Sequence, residues 1–203
     1  MKQNELIKKI SEVVSAIFNP GILAIVILFV AIARSNMPAD VAIGWYVSAL
    51  VLNCIIPGMV YMFFTSRGFV FDDTLHHKDV HRERVGLFGS FLAVTAIELL
   101  MMVMTGQFYQ PLFAVLVGGI GAIIIAGAIS YFWKMSMHSS MVTFFTLMIV
   151  YIFGWSWWPI FLLIPLVWWS RLILYRHTIW QLLGGAIFSI ALVSIVYTVF
   201  KVI

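Results

Sequence analysis

The stretch PLFAVLVGGIGAIIIAGAISYF, residues 111–132, decides what kind of protein this is. It holds no charged side chain and has the ~20 residues an α-helix needs to cross the hydrocarbon core of a bilayer. A soluble helix of that length would need a polar face for water. Further apolar segments surround it at 20–33, 41–65, 85–105, 141–154, 159–169 with a continuation to 175, and 179–200. The expected fold is therefore all-α: a polytopic transmembrane bundle of about six to seven membrane helices. Residues 1–203 are expected to form a single domain, because spanning helices share one packed interior.

Composition agrees with that reading. The chain is 63% hydrophobic and 10% charged, where soluble domains carry about a quarter charged residues. The net charge of +4 comes without a basic stripe interleaved with exposed aromatics, so nucleic acid is not an expected partner. The single cysteine, Cys54, excludes an intramolecular disulfide and offers no metal-ligand spacing.

Two local features refine the bundle. Lys2, Lys8 and Lys9 precede an apolar core and the triplet Ala31-Ile32-Ala33, the outline of a signal peptide, but Glu5 and Glu12 argue for a retained anchor. Within residues 1–19, Leu6, Ile10, Val13, Val14 and Ile17 recur at helical spacing, which predicts an amphipathic helix lying on the membrane surface. At residues 154–159, GWSWWP predicts a tight turn at headgroup depth, splitting a long apolar run into two short tilted helices. Gly118, Gly119, Gly121, Gly127 and Gly184-Gly185-Ala186 predict close helix packing.

Counting crossings sorts the connections into two groups. The N-terminus and residues 66–84, 133–140 and 171–178 fall on one face. That face receives all five histidines and all of the lysines and arginines except Arg34 and Lys201. The positive-inside rule makes it cytoplasmic. The preference narrows if several of these cations are ligands, since Lys2, Lys8, Lys9 and Arg67 then remain against two.

Three clusters gather there. Residues 76–84 read HHKDVHRER, residues 134–138 read KMSMH, and Ser170-Arg171 is followed by His177 and Gln181. Arginine and lysine converging from separate helix ends suit a multiply charged oxyanion, because guanidinium forks match phosphate oxygens in pairs. Histidines beside them permit nucleophilic and acid–base chemistry near neutral pH.

The arrangement resembles the membrane branch of the type 2 phosphatidic acid phosphatase superfamily, related to the vanadium haloperoxidases. The family's third motif, Ser-Arg, five residues, His, three residues, Asp, is matched by Ser170, Arg171 and His177, with Gln181 at the terminal position. Its second motif is matched by Ser136 and His138, with Met137 where the family has glycine. Its first is matched by Arg84, followed by Val85 rather than proline, with Lys78 one position nearer than the pattern asks.

The resemblance implies a lipid phosphate phosphatase that hydrolyses a phosphomonoester or diphosphate without a metal or other cofactor. In it His177 forms a phosphohistidine, His138 protonates the leaving oxygen and then activates water, and Gln181 orients His177. Lys78, Arg84, Arg171 and Ser136 hold the phosphoryl oxygens. Gln181 brings no negative charge to His177, so a weaker nucleophile is expected.

The implied partners are a lipid phosphate substrate and the surrounding membrane lipids, in a prokaryotic cell membrane. A homo-oligomer is compatible with the sequence. Outside the resemblance, His76, His77, His81 and Asp79 are residue types that ligate metals, although in no recognised spacing. Glu98 falls deep in an apolar segment and is expected to be protonated or turned toward a polar partner such as Asn53. Two rival functions remain open: a catalytically silent protein that binds anionic headgroups, and a transporter that uses Glu98.

Overall fold

The computed structural model describes residues 2–67 and 81–200, without the side chains of 2–4, 81–87 and 131. The described residues form an all-helical bundle. The order is α1 (Lys2–Ile17), α2 (Pro20–Arg34), α3 (Ala39–Leu50), a π-helical turn (Val51–Ile55), α4 (Ile56–Ser66), α5 (His81–Thr105), α6 (Leu112–Phe132) and α7 (Met137–Phe153). A 3-10 helix (Trp155–Leu162), α8 (Leu163–Ile173) and α9 (Ile179–Phe200) complete it. Among the described residues, five helical stretches are long and apolar enough to cross a membrane, and a sixth if α1 and α2, bent by 42° at their junction, are one span. This is a multi-pass membrane protein.

Each break has a chemical cause. Asn19 ends α1 and caps α2, its side chain accepting from Gly21 N–H, while Pro20 takes the first helical position, where no N–H is needed. Between α3 and α4, Pro57 can give no hydrogen bond to the Asn53 carbonyl and would clash with it, and the helix widens there into the π turn. That widening leaves Asn53 buried. Gly154, at φ +90°, stops α7.

The tryptophan-rich segment divides the long apolar run as expected, α7 ending at Phe153 and α8 starting at Leu163, but a 3-10 helix stands where the tight turn was expected. Gly154 alone separates α7 from Trp155–Leu162, which runs on into α8 as one apolar stretch of 19 residues, Trp155–Ile173. Trp155, Trp157 and Trp158 are exposed, as rings placed in the lipid interface would be.

α7 is the centre, although it has only 17 residues. It packs against α2, α8 and α9, and burial runs from Ser139 to Ile149 along most of its length. At Gly185 of α9 an added Cβ would lie 2.7 Å from the Ser136 carbonyl oxygen and 3.0 Å from Ser140 N, so only glycine permits this approach. Above it, the Ser189 hydroxyl donates to the Ser140 carbonyl at 2.7 Å, and the two hydroxyls pair at 2.9 Å. Gly118 and Gly121 also pack closely on α9, but Gly127 faces open space.

The contacts sort the helix ends as crossing parity does. At one end Leu112 N–H donates to Ser35 Oγ and the Arg34 guanidinium lies over the Phe153 ring. At the other end meet α1, the start of α7, the end of α8 and the start of α9.

Candidate functional site

The corner between α8 and α9 carries Arg171, His177 and Gln181. α8 closes with Tyr175 N–H bonded to the Leu172 carbonyl and Arg176 N–H bonded to the Arg171 carbonyl. This is the Schellman pattern, and it puts Tyr175 in the left-handed region at φ 51°, a position glycine usually takes. α9 then opens with a capping box. Thr178 Oγ1 accepts from Gln181 N–H at 3.4 Å, and Gln181 Oε1 accepts from Thr178 N–H at 3.0 Å. The spacing from Arg171 to His177 to Gln181 is thus one helix end, a short connection over residues 174–178 and one helix start.

That capping box decides the chemistry of His177. Thr178 N–H can only donate, so the amide atom facing it is the oxygen. The same oxygen lies 3.2 Å from His177 Nδ1, which must therefore be the N–H that donates to it. In the neutral ring the lone pair is then on Nε2. His177 is buried, and Gln181 partly so.

Arg171, also buried, is held from an unexpected direction. Its Nη1 donates to Ser15 Oγ of α1 at 2.7 Å, and Ser15 Oγ lies 3.4 Å from His138 Nε2. One turn earlier the Ser170 hydroxyl donates to the Ser11 carbonyl at 2.8 Å. Ser15 Oγ, accepting from the guanidinium, thus bridges Arg171 to the His138 ring, and the direction of the Ser15–His138 bond follows the protonation state of the imidazole. α1 thus has two working faces. Ser11 and Ser15 are buried against α8, whereas Leu6, Ile10, Val13 and Ile17 are turned away from the protein. The outward stripe is the one expected to meet the membrane, except for Val14, which is half-buried on the serine side. The serine stripe makes α1 a packed wall of the site as well.

Ser136 caps α7, accepting from Ser139 N–H at 3.4 Å, and is fully buried. Its own N–H donates to the Gln181 carbonyl at 3.2 Å. The Ser139 hydroxyl donates to the Leu182 carbonyl and accepts from the Trp168 ring N–H. These bonds pin the start of α7, and with it His138, to α8 and α9. Arg84 lies in the first turn of α5, with its side chain outside the description, and Lys78 lies outside the described residues. So do His76, His77 and Asp79.

Five of the seven expected site residues are thereby joined into one cluster: Ser136, His138, Arg171, His177 and Gln181. Ser15 and Thr178 were not expected there. Thr178-Ile179-Trp180-Gln181 is a legible capping-box sequence. Ser11 and Ser15 are one helical turn apart, in line with Ile7, Val14 and Phe18, a second stripe beside the apolar one. Comparisons with family models, curated proteins and solved structures find no match to the chain. Any assignment of function therefore starts from the site residues themselves.

Proposed function

We propose that this protein is a membrane-embedded, metal-independent lipid phosphate phosphatase working through a phosphohistidine on His177. The single observation that carries the reading is the Thr178–Gln181–His177 relay, in which a pinned amide oxygen leaves the His177 lone pair on Nε2. A nucleophilic imidazole needs that tautomer. Gln181 supplies it without the negative charge of an aspartate.

In the proposed reaction His177 Nε2 attacks phosphorus and the bond to the lipid oxygen breaks. The leaving oxygen takes a proton from His138, which the Ser15 hydroxyl positions. His138 then accepts a proton from water as the water oxygen attacks the phosphohistidine, and inorganic phosphate leaves with His177 restored. Arg171 binds the phosphoryl oxygens and stabilises the charge that grows on them. Lys78 and Arg84 are assigned the same part by the resemblance alone.

Substrate class follows from location. A site at the end of an intramembrane bundle meets lipid phosphates by lateral diffusion while their tails stay in the bilayer. Phosphatidate, phosphatidylglycerol phosphate and polyprenyl diphosphates all fit that description. The excess of basic residues at this end supports a cytoplasmic site in a prokaryotic cell membrane. An N-terminal tag found outside the cell would refute that sidedness.

The test is phosphate release by purified protein from a panel of lipid phosphates with EDTA present. Wild type should release phosphate and His177→Ala should not. Equal release by the variant, or none by wild type on any substrate, would end the enzyme reading. The second outcome favours a silent binder of anionic headgroups, the reading that Met137 and Gln181 support as departures from the family pattern.

A further inference from the structure

Away from the site, a cavity of about 160 Å³ lies among α2, α5, α6, α7 and α9. It is bounded along α5 from Phe88 to Glu98, ten helical residues or about 15 Å, so it is elongated along the bundle. Its lining is mostly apolar, and the polar side chains in it are nearly all satisfied. Ser140 and Ser189 bond to each other, and the Thr95 hydroxyl donates to the Phe91 carbonyl. Asn53 Nδ2 donates to Glu98 Oε1 at 2.8 Å. Glu98 Oε2 is the exception: Glu98 is 1% exposed, and this oxygen has no hydrogen-bond partner among the described residues.

We infer that this cavity is a binding site for a medium-chain aliphatic alcohol whose hydroxyl bonds to Glu98 Oε2. The volume is close to that of an engineered apolar cavity, about 150 Å³, that takes up benzene, which leaves room for a short alkyl chain. A pure hydrocarbon would fill the space but leave Oε2 unsatisfied. A phosphate or carboxylate group would meet a carboxyl and no cation among the described lining residues. A hydroxyl can donate to Oε2, which neither an ether nor a hydrocarbon can do. The inference rests on the cavity alone and does not depend on the phosphatase reading.

The experiment uses the full chain in phosphatidylcholine nanodiscs with octanol carrying a photoreactive diazirine. Label should appear on α5 and α6 peptides and be displaced by octanol about tenfold better than by octyl methyl ether, which cannot donate. Glu98→Leu should abolish that preference. Gly119→Leu should abolish labelling by filling the space, since a Cβ there meets only Thr95 Cγ2 at 3.7 Å. His177→Ala should label like wild type. If Glu98→Leu does not fold, Gly119→Leu decides alone. Equal displacement by the ether, or labelling that survives Gly119→Leu, overturns the proposal. Stronger displacement by octylamine would make the ligand an ammonium instead, and no labelling at all would leave the cavity to water. Either result overturns it too.

Discussion

Arg171 and Ser15, separated by 156 positions in sequence, are joined by a 2.7 Å hydrogen bond between Nη1 and Oγ. The bond ties the last turn of α8 to the N-terminal helix, and the same hydroxyl reaches His138 at 3.4 Å. Ser15→Ala removes a neutral acceptor from a buried guanidinium, a loss of about 1.5–3 kcal/mol. On the proposed mechanism kcat for phosphate release should fall by about tenfold to a hundredfold. Ser15→Thr, which keeps the hydroxyl, should retain most of the rate. Equal loss in both variants would show that the hydroxyl is not what matters.

Gln181 offers a sharper test, because its two jobs separate. Gln181→Glu keeps the reach that the capping box needs and adds a negative charge beside His177 Nδ1. Phosphate release should rise by about tenfold, with little change in thermal stability. Gln181→Leu loses both jobs. It should abolish turnover and cost about 1 kcal/mol through the lost cap. A Gln181→Glu enzyme slower than wild type would argue against His177 as the nucleophile.

Gly185 and Gly184 are neighbours with opposite expected responses. At Gly185 an alanine Cβ would meet backbone atoms of α7, which cannot swing aside. α9 must then move, at a cost of about 1–3 kcal/mol, and the Ser136–Gln181 bond that aligns the site is strained with it. At Gly184 the obstacle is the Trp133 ring, a side chain with solvent- or lipid-facing room to rotate. Gly185→Ala should lower both melting temperature and activity, and Gly184→Ala should lower neither by much. Detergent-phase thermal unfolding separates the two.

Tyr175 sits at φ 51° in the turn that sets the distance from Arg171 to His177. A left-handed non-glycine residue costs about 1–2 kcal/mol. Since the side chain is largely exposed, Tyr175→Gly should relieve that strain without losing core packing. The variant should unfold at a higher temperature than wild type. A lower unfolding temperature would mean that the tyrosine ring makes a stabilising contact in the membrane interface.

The helices were legible because a bilayer leaves the backbone few alternatives: apolar runs of spanning length become helices, and parity then groups their ends. Arg171, His177 and Gln181 were legible as a spacing, and the structure supplies its reason in a Schellman turn followed by a capping box. The part played by α1 was not legible. Its apolar stripe advertised a membrane surface, and a pair of serines carries no hydropathy signal, so nothing in periodicity marked Ser15 as a partner of Arg171. The tryptophan segment was legible as a break and not as a 3-10 helix. Gly-Trp-Ser-Trp-Trp-Pro has turn composition, yet one glycine at positive φ separates the two helices and Pro159 is accommodated within a 3-10 helix.

Asn53 and Glu98 pair inside the membrane as the sequence led one to expect, with Nδ2 donating to Oε1 at 2.8 Å. A carboxyl at this depth has no water to turn to, so the amide is its principal support. Asn53→Leu leaves the carboxyl with no partner from the described residues and should destabilise the bundle. Glu98→Leu strands the amide and should do the same to a smaller degree, because an amide carries no charge to shelter. The double variant replaces both by apolar groups and should be more stable than the sum of the two losses allows. The coupling measured by thermal unfolding in nanodiscs should be about 1–2 kcal/mol, the upper part of what intramembrane hydrogen bonds contribute. Additive losses would mean that the two side chains do not support each other in the membrane. A coupling that vanished only when octanol was present would instead show that the ligand hydroxyl, once bound to Oε2, replaces the support Asn53 gives.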